Sequence, residues 1–307
     1  MSGGSETFQL ISRRRLIGLT HGTMRSVRRG RGTEVAGGRP YRPGDDIRSI
    51  DWAASARLSS ARGADEFVVR ERYADEGPRV VVVADRRPEL SFFAPPLPWL
   101  DKGEAMRQAT EIVVASSAQA GGFVGYLDYA DGEPFWLPPR GERRLAYLRE
   151  ERAEAAGWGG PANGIERSLE HLFEHRRSVT AGSFVFVLSD FLDPPSRETW
   201  LTAVEHLWDV IPVVIQDPVW EQSFPDVSGI VVPIRDPRSG RITHVRLKKK
   251  EAATRRRANE ERLLALLDEL TLLDLDPVLL SSSRPSEILA AFLDWNEFRR
   301  ARRGVVA

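Results

Sequence analysis

The chain has 307 residues, 41% of them apolar, and its 44 Lys and Arg balance 44 Asp and Glu. That length supports one large or two modest domains with a sizeable core, and the charge balance supplies no global pull toward a polyanion. The absence of cysteine excludes disulfides, thiolate metal sites and thiol nucleophiles together.

No window holds enough consecutive apolar residues to span a bilayer, and the start at Met1 lacks a signal-peptide pattern. A cytoplasmic protein without a membrane span is expected. Residues 6–19 carry Phe8, Leu10, Ile11, Leu16 and Ile17 and read as a short helix. Arg13, Arg14, Arg15, Arg25, Arg28, Arg29 and Arg31 then form a basic arm with no acid among them. Such an arm suits nucleic acid or anionic lipid. No aromatic is interleaved for base stacking, however, so a solvated segment folding back on acidic surface is favoured and nucleic acid disfavoured.

The stretch 37–57, GGRPYRPGDDIRSIDWAASAR, is the most unusual in the chain. Pro43 and Gly44 form a turn, and Asp45 and Asp46 can accept backbone N–H groups at a turn or helix start. Arg39, Arg42, Arg48 and Arg57 share this window with Asp45, Asp46 and Asp51, and guanidinium with carboxylate is the pair best suited to bidentate bonding. Two roles fit: a structural knot anchored by Tyr41, Ile50 and Trp52, which ion-pair networks more often provide, or a loop that docks a partner or reads phosphate. Residues 66–73 alternate as a strand, and Glu76-Gly77-Pro78 closes this first region.

A β-branched run at 80–84, ending at Asp85, has the composition of a strand buried on both faces of a parallel sheet. After a stiff loop containing Pro95, Pro96 and Pro98, Asp101 and Glu104 give a capping-box-like start to a helix over 102–120. The pattern next predicts a strand at 123–129, a turn at Asp131-Gly132 and an antiparallel strand at 134–137. Helices are expected at 142–156 and 165–177, then a strand at 183–190, a helix at 198–207 and a strand at 210–216. A hairpin pairs 230–234 with 241–247. A long helix over 249–270 follows, with Leu263, Leu266, Leu267 and Leu270 on one face and Lys248, Lys249 and Lys250 crowding its entrance against the helix dipole. A strand at 277–281 and a helix at 285–299 close the chain. Strands alternating with helices predict an α/β fold with a parallel or mixed sheet covered on both faces.

The run from Gly32 to Arg57, with Tyr41, Pro43-Gly44-Asp45-Asp46, Arg48, Ile50-Asp51-Trp52 and Arg57, resembles the signature of the bacterial domain-of-unknown-function-58 family. The likeness extends to Leu188 through Phe191, to Asp217-Pro218 with Glu221, and to 289–299. The resemblance implies a von Willebrand factor A-like, Rossmann-like domain at 78–307, with a central, mostly parallel sheet flanked by helices and a hairpin insertion at about 228–247. An N-terminal extension at 1–77 carries the signature loop. It further implies a non-catalytic protein-interaction module, an adaptor or co-chaperone of a MoxR-type AAA+ ATPase. Tyr41, Pro43, Gly44, Asp45, Asp46, Arg48, Asp51, Trp52 and Arg57 are its candidate docking residues.

In an open α/β sheet, ligands gather at the carboxyl ends of strands where the strand order reverses, which selects Asp85 and Ser189-Asp190. The resemblance implies a divalent-cation loop of the form Asp-x-Ser-x-Ser there, with a Thr from another loop. Asp85 matches, but Arg87 and Glu89 stand at the serine positions, and Pro161-Ala162 stand where the Thr is expected. A guanidinium at that place can pair with Asp85 and Asp190 and displace the ion. The positions Asp85, Arg87, Glu89 and Asp190 therefore read as a degenerate metal site, with no metal or other cofactor expected. The alternatives are a Mg²⁺-dependent binding domain using Asp85, Glu89 and Asp190, and an anionic-surface binder using the arginine arm. His171 and His175 have helical zinc spacing but lack the HExxH order and an evident third ligand. Gly121-Gly122 and 157–160 lack a Walker lysine, and Ser189 lacks a nucleophile elbow, so no enzyme activity is expected.

Overall fold

The computed structural model describes residues 7–12, 24–29, 35–43, 45–63, 66–91, 100–139, 152, 157–236 and 238–305. The chain divides into two compact units, 15–78 and 1–14 together with 79–307.

In the smaller unit, β1 (Met24–Arg29), β2 (Val35–Pro40) and β3 (Val68–Glu76) form an antiparallel sheet in the order β1-β3-β2. Arg25, Arg28 and Arg29 thus sit in a strand rather than in a loose arm, and the rest of the arginine arm lies outside the described residues. A 3₁₀ turn (Ile47–Ser49) leads into α1 (Trp52–Arg62), a helix that the apolar pattern does not announce because Ser55 is its one buried residue. Its ends are set by capping. Asp51 accepts from Ala54 N–H at the start, and Gly63 takes a left-handed φ of 66° at the end.

The larger unit opens with 7–12, which are not helical. Phe8 stacks on Phe292 and meets Phe186 and Trp295 edge-on, so tertiary packing overrides the helical spacing. The central sheet contains β4 (Arg79–Ala84), β5 (Phe123–Asp128), β6 (Phe135–Leu137), β7 (Phe184–Ser189), β8 (Asp209–Ile215) and, at its far edge, a strand at Val278–Leu280. Away from the sheet, β9 (Val231–Arg235) and β10 (Ile242–Arg246) form a separate hairpin, which makes the edge strand β11. The sheet order is β11-β8-β7-β4-β5-β6, parallel throughout except for β6. This is the doubly wound order, and its reversal falls between β4 and β7.

Helices cover both faces. On one lie α2 (Lys102–Gln119) and, at the chain's end, the helix Pro285–Val305; on the other lie α3 (Gly164–Glu174), α4 (Arg197–Glu205) and α5 (Lys249–Leu272), which makes the terminal helix α6. Val81, Val83, Val185 and Val187 pack against Ile165, Leu169, Trp200, Leu266 and Leu270. Alternate residues such as Phe186 face the aromatic cluster of Phe8, Phe292 and Trp295, as the two-residue strand period requires. The expected helix at 142–156 and the Pro95, Pro96 and Pro98 loop lie outside the described residues apart from Arg152, which grips the buried Asp128 carboxylate at 2.8 Å.

Two expected helix entrances differ in detail. Asp101 caps α2 through Glu104 N–H, but the Glu104 carboxylate turns to Arg107 and Gln108 instead of completing a box. The lysine-rich start of α5 is offset by Glu251, whose carboxylate reaches back to Lys248 N–H at 3.2 Å. At the amino ends of the strands, Arg299 spans Asp209 bidentately and also bonds Asp276 and the Ile11 carbonyl. This buried staple ties α6, β8 and the first segment together.

Candidate functional site

The carboxyl ends of β4 and β7 place Asp85 and Asp190 beside the strand-order reversal. Both are buried, at 3% and 1% exposure, and the Arg87 guanidinium lies between them. Its Nε donates to Asp85 Oδ2 at 2.9 Å and its Nη2 to Asp190 Oδ1 at 3.0 Å. Lys102, at the start of α2, donates from Nζ to Asp190 Oδ2 at 2.9 Å and to Glu221 Oε1.

The remaining polar groups are committed as well. Ser189 Oγ, on a fully buried residue, donates to Asp85 Oδ2 at 2.6 Å and accepts from Phe191 N–H. Asp85 Oδ1 accepts from Arg87 N–H, and Asp190 Oδ1 from Leu192 N–H. Phe191, buried directly after Asp190, holds a φ of 48°, a left-handed conformation costing about 1–2 kcal/mol that the surrounding bonds impose. On the other side, Gly160 donates to the Arg86 carbonyl, and a Cβ at Gly160 would stand 2.8 Å from that oxygen. The glycine therefore fixes the path of the chain just ahead of Arg87.

Charge sets the balance of this cluster. Burial pushes the ionisation of Lys102 and Arg87 down, but the carboxylates around them outweigh it, and both cations are held above their ordinary pKa. Burial holds Glu221 above its ordinary value against the pull of Lys102. Three carboxylates, those of Asp85, Asp190 and Glu221, face the two cations Arg87 and Lys102.

The donor set does not fit a divalent cation. Every carboxylate oxygen of Asp85 and Asp190 already accepts a hydrogen bond, and two fixed positive charges occupy the space between and beside them. Glu89 does not join the cluster, because its carboxylate is turned to Arg238 Nε at 2.8 Å. Asp85, Glu89 and Asp190 thus do not converge as the Mg²⁺ alternative requires. Lys102 was not legible as a member, since a lysine opening a helix ordinarily extends into water.

The signature loop of the smaller unit is organised by its aspartates. Asp45 accepts both Arg39 nitrogens at 2.6–2.7 Å and Arg42 N–H; Asp46 accepts Arg48 N–H; Asp51 caps α1 and pairs with Arg70 Nε at 3.0 Å. Hydrogen bonds from Arg39 to Asp45 and from Arg70 to Asp51 each hold the carboxylate down at a pKa of about 2. Arg70 lies outside the signature and was not anticipated, whereas Arg57 turns back to the Ala53 carbonyl rather than to an aspartate. Ile50 is buried and bridges Val69, but Ile47 and Trp52 are 65% and 61% exposed. Trp52 and Tyr41 both meet the Phe67 ring edge-on. Pro43 is exposed, and Gly44 lies outside the described residues.

Residues 37–263 match the family described as "Protein of unknown function DUF58". The chain belongs to the DUF58 family. The signature loop and the Asp85–Asp190 cluster both fall within the matched DUF58 region. Among curated proteins, uncharacterized proteins of Mycobacterium tuberculosis (strain H37Rv) and Mycobacterium bovis are 25% identical to this DUF58 chain over 249 residues, covering 78% of it and 72% of each relative. Among solved structures, the conserved hypothetical protein BatB from Bacteroides thetaiotaomicron aligns with a TM-score of 0.36 at 16% identity, over 64% of this chain and 99% of that one. An aerotolerance-related membrane protein from Bacteroides fragilis gives 0.35 at 16% identity, over 64% of this chain and 100% of that one. No helix among the described residues is long and apolar enough to cross a membrane.

Proposed function

We propose that this DUF58 protein is a non-catalytic interaction module with a von Willebrand factor A-like larger unit, in which Arg87 takes the place of the ion. On this reading it docks a protein partner, of the MoxR-type AAA+ ATPase class, through the loop containing Tyr41, Pro43, Gly44, Asp45, Asp46, Arg48, Asp51, Trp52 and Arg57. The partner class rests on the family resemblance. The observation that carries the docking role is the exposure of Ile47 and Trp52 on a loop whose three aspartates are all bonded. Rigid, exposed aromatic and aliphatic groups ringed by polar residues are what binding hot spots are made of. A purely structural knot would bury its tryptophan.

The test is capture of purified MoxR-type ATPase, in an ATP-trapped state, by the full chain carrying Trp52→Ala and Ile47→Asp. Both side chains are exposed, so the variant keeps its circular dichroism and melting behaviour. Loss of a hot-spot aromatic costs about 2 kcal/mol or more, a weakening on the order of 30-fold. A folded double variant that binds as tightly as the native chain refutes the docking role.

A further inference from the structure

On α3, away from the sheet-end cluster, His171, Glu174 and the capping residue His175 bring one ligand atom each to within 4.8 Å of one another. The two imidazoles stack with centroids 4.1 Å apart at 23°, and Trp136 on β6 closes against both rings. His175 Nδ1 lies 2.8 Å from the His171 carbonyl oxygen, a contact that requires the proton on Nδ1 and leaves the Nε2 lone pair free. Fixing a ligand's tautomer through a backbone carbonyl is the usual outer support of a metal-binding histidine. His171 Nε2 is shut off from water without a hydrogen-bond partner among the described residues. The triad also sits where the last carbonyls of α3 present partial negative charge, which favours a cation.

We infer that His171, Glu174 and His175 bind one borderline divalent transition-metal ion of the zinc, nickel or copper type. Two imidazoles and one carboxylate select this class over magnesium and calcium, which prefer all-oxygen shells. Three side-chain ligands leave at least one coordination position for water or an outside group. Sequence spacing supplied the two histidines but no third ligand. Glu174 is adjacent to His175 in the chain, yet it lies one helical turn from His171, and only the helix makes it a member.

The experiment is a titration of untagged, full-length protein with Zn²⁺ against a chromophoric competitor, repeated with Cu²⁺ while following tryptophan fluorescence. One ion per chain is expected at micromolar free metal, unaffected by millimolar Mg²⁺. His175→Asn, at an exposed position, and His171→Asn each weaken it by about tenfold or more, and Glu174→Gln by less. His206→Asn and His244→Asn leave it unchanged. Cu²⁺ quenches the native chain, and Trp136→Phe removes most of that quenching. Absence of micromolar binding, or binding unchanged in a His175→Asn variant with native melting behaviour, overturns the site.

Discussion

Replacing Arg87 by methionine keeps most of the side chain's length and removes its charge. The guanidinium is 6% exposed, and its partners Asp85 and Asp190 are 0% and 1% exposed at the side chain. Each contact near 3 Å represents on the order of 6 kcal/mol of attraction at an effective dielectric of about 20, most of it offset by the desolvation of the ions. Removal of one partner is more costly than the net worth of the pair, because the remaining charges stay buried. A loss of about 3–5 kcal/mol follows. Asp190 retains Lys102, whereas among the described residues Asp85 keeps only Ser189 Oγ and a backbone N–H, so Asp85 is the group left exposed to the penalty. Urea unfolding followed by tryptophan fluorescence measures it. With a slope of about 2.5 kcal/mol per M, the midpoint falls by about 1.5 M. The double variant Asp85→Asn with Arg87→Met removes both ends of the pair and recovers a large part of the loss. A midpoint shift below about 0.4 M, or a double variant as unstable as the sum of the singles, refutes the description of Arg87 as the neutralising cation of this cluster.

Two further outcomes follow from the geometry. Asp45 and Asp51 titrate near 2, below the ordinary 3.8, so their contribution to stability is complete above pH 3.8 and is lost as pH falls from there toward 2. A carboxyl NMR titration reads both midpoints, and Arg70→Ala returns that of Asp51 toward 3.8; an unmoved midpoint excludes the ion pair as its cause. At Gly160, alanine would place a Cβ 2.8 Å from the Arg86 carbonyl and cost about 1–3 kcal/mol in urea unfolding, while Gly157→Ala, whose Cβ would meet only Asp131 at 4.0 Å among the described residues, changes stability by about 0.5 kcal/mol or less. Equal effects at the two glycines would show that the close approach does not matter.

The larger unit's sheet was legible because its strands announce themselves locally. The run Val80 to Val83 is wholly buried, and such a run fits only a strand covered on both faces. The short antiparallel strand β6 and the hairpin were marked by Asp131-Gly132 and Ser239-Gly240. What escaped was non-local or capped. The segment at 7–12 has helical spacing but is not helical, and its Phe8 packs on Phe292, nearly the whole chain away. The helix α1 owes its limits to Asp51 and Gly63 rather than to an apolar stripe. In the candidate sites the same division holds. Asp85, Arg87 and Asp190 follow from the topology rule plus the loop's sequence, whereas Lys102 and Arg70 reach their partners across 88 and 19 residues that no local pattern connects.

A positive charge that belongs to the polypeptide cannot dissociate. Arg87, itself buried and bonded to both Asp85 and Asp190, neutralises the carboxyl end of this sheet from the moment of folding. That face would be indifferent to chelators, to magnesium depletion and to the exchange kinetics of a bound ion. Any on-and-off control of this part of the fold would then have to come from elsewhere, since the arginine offers nothing to withdraw.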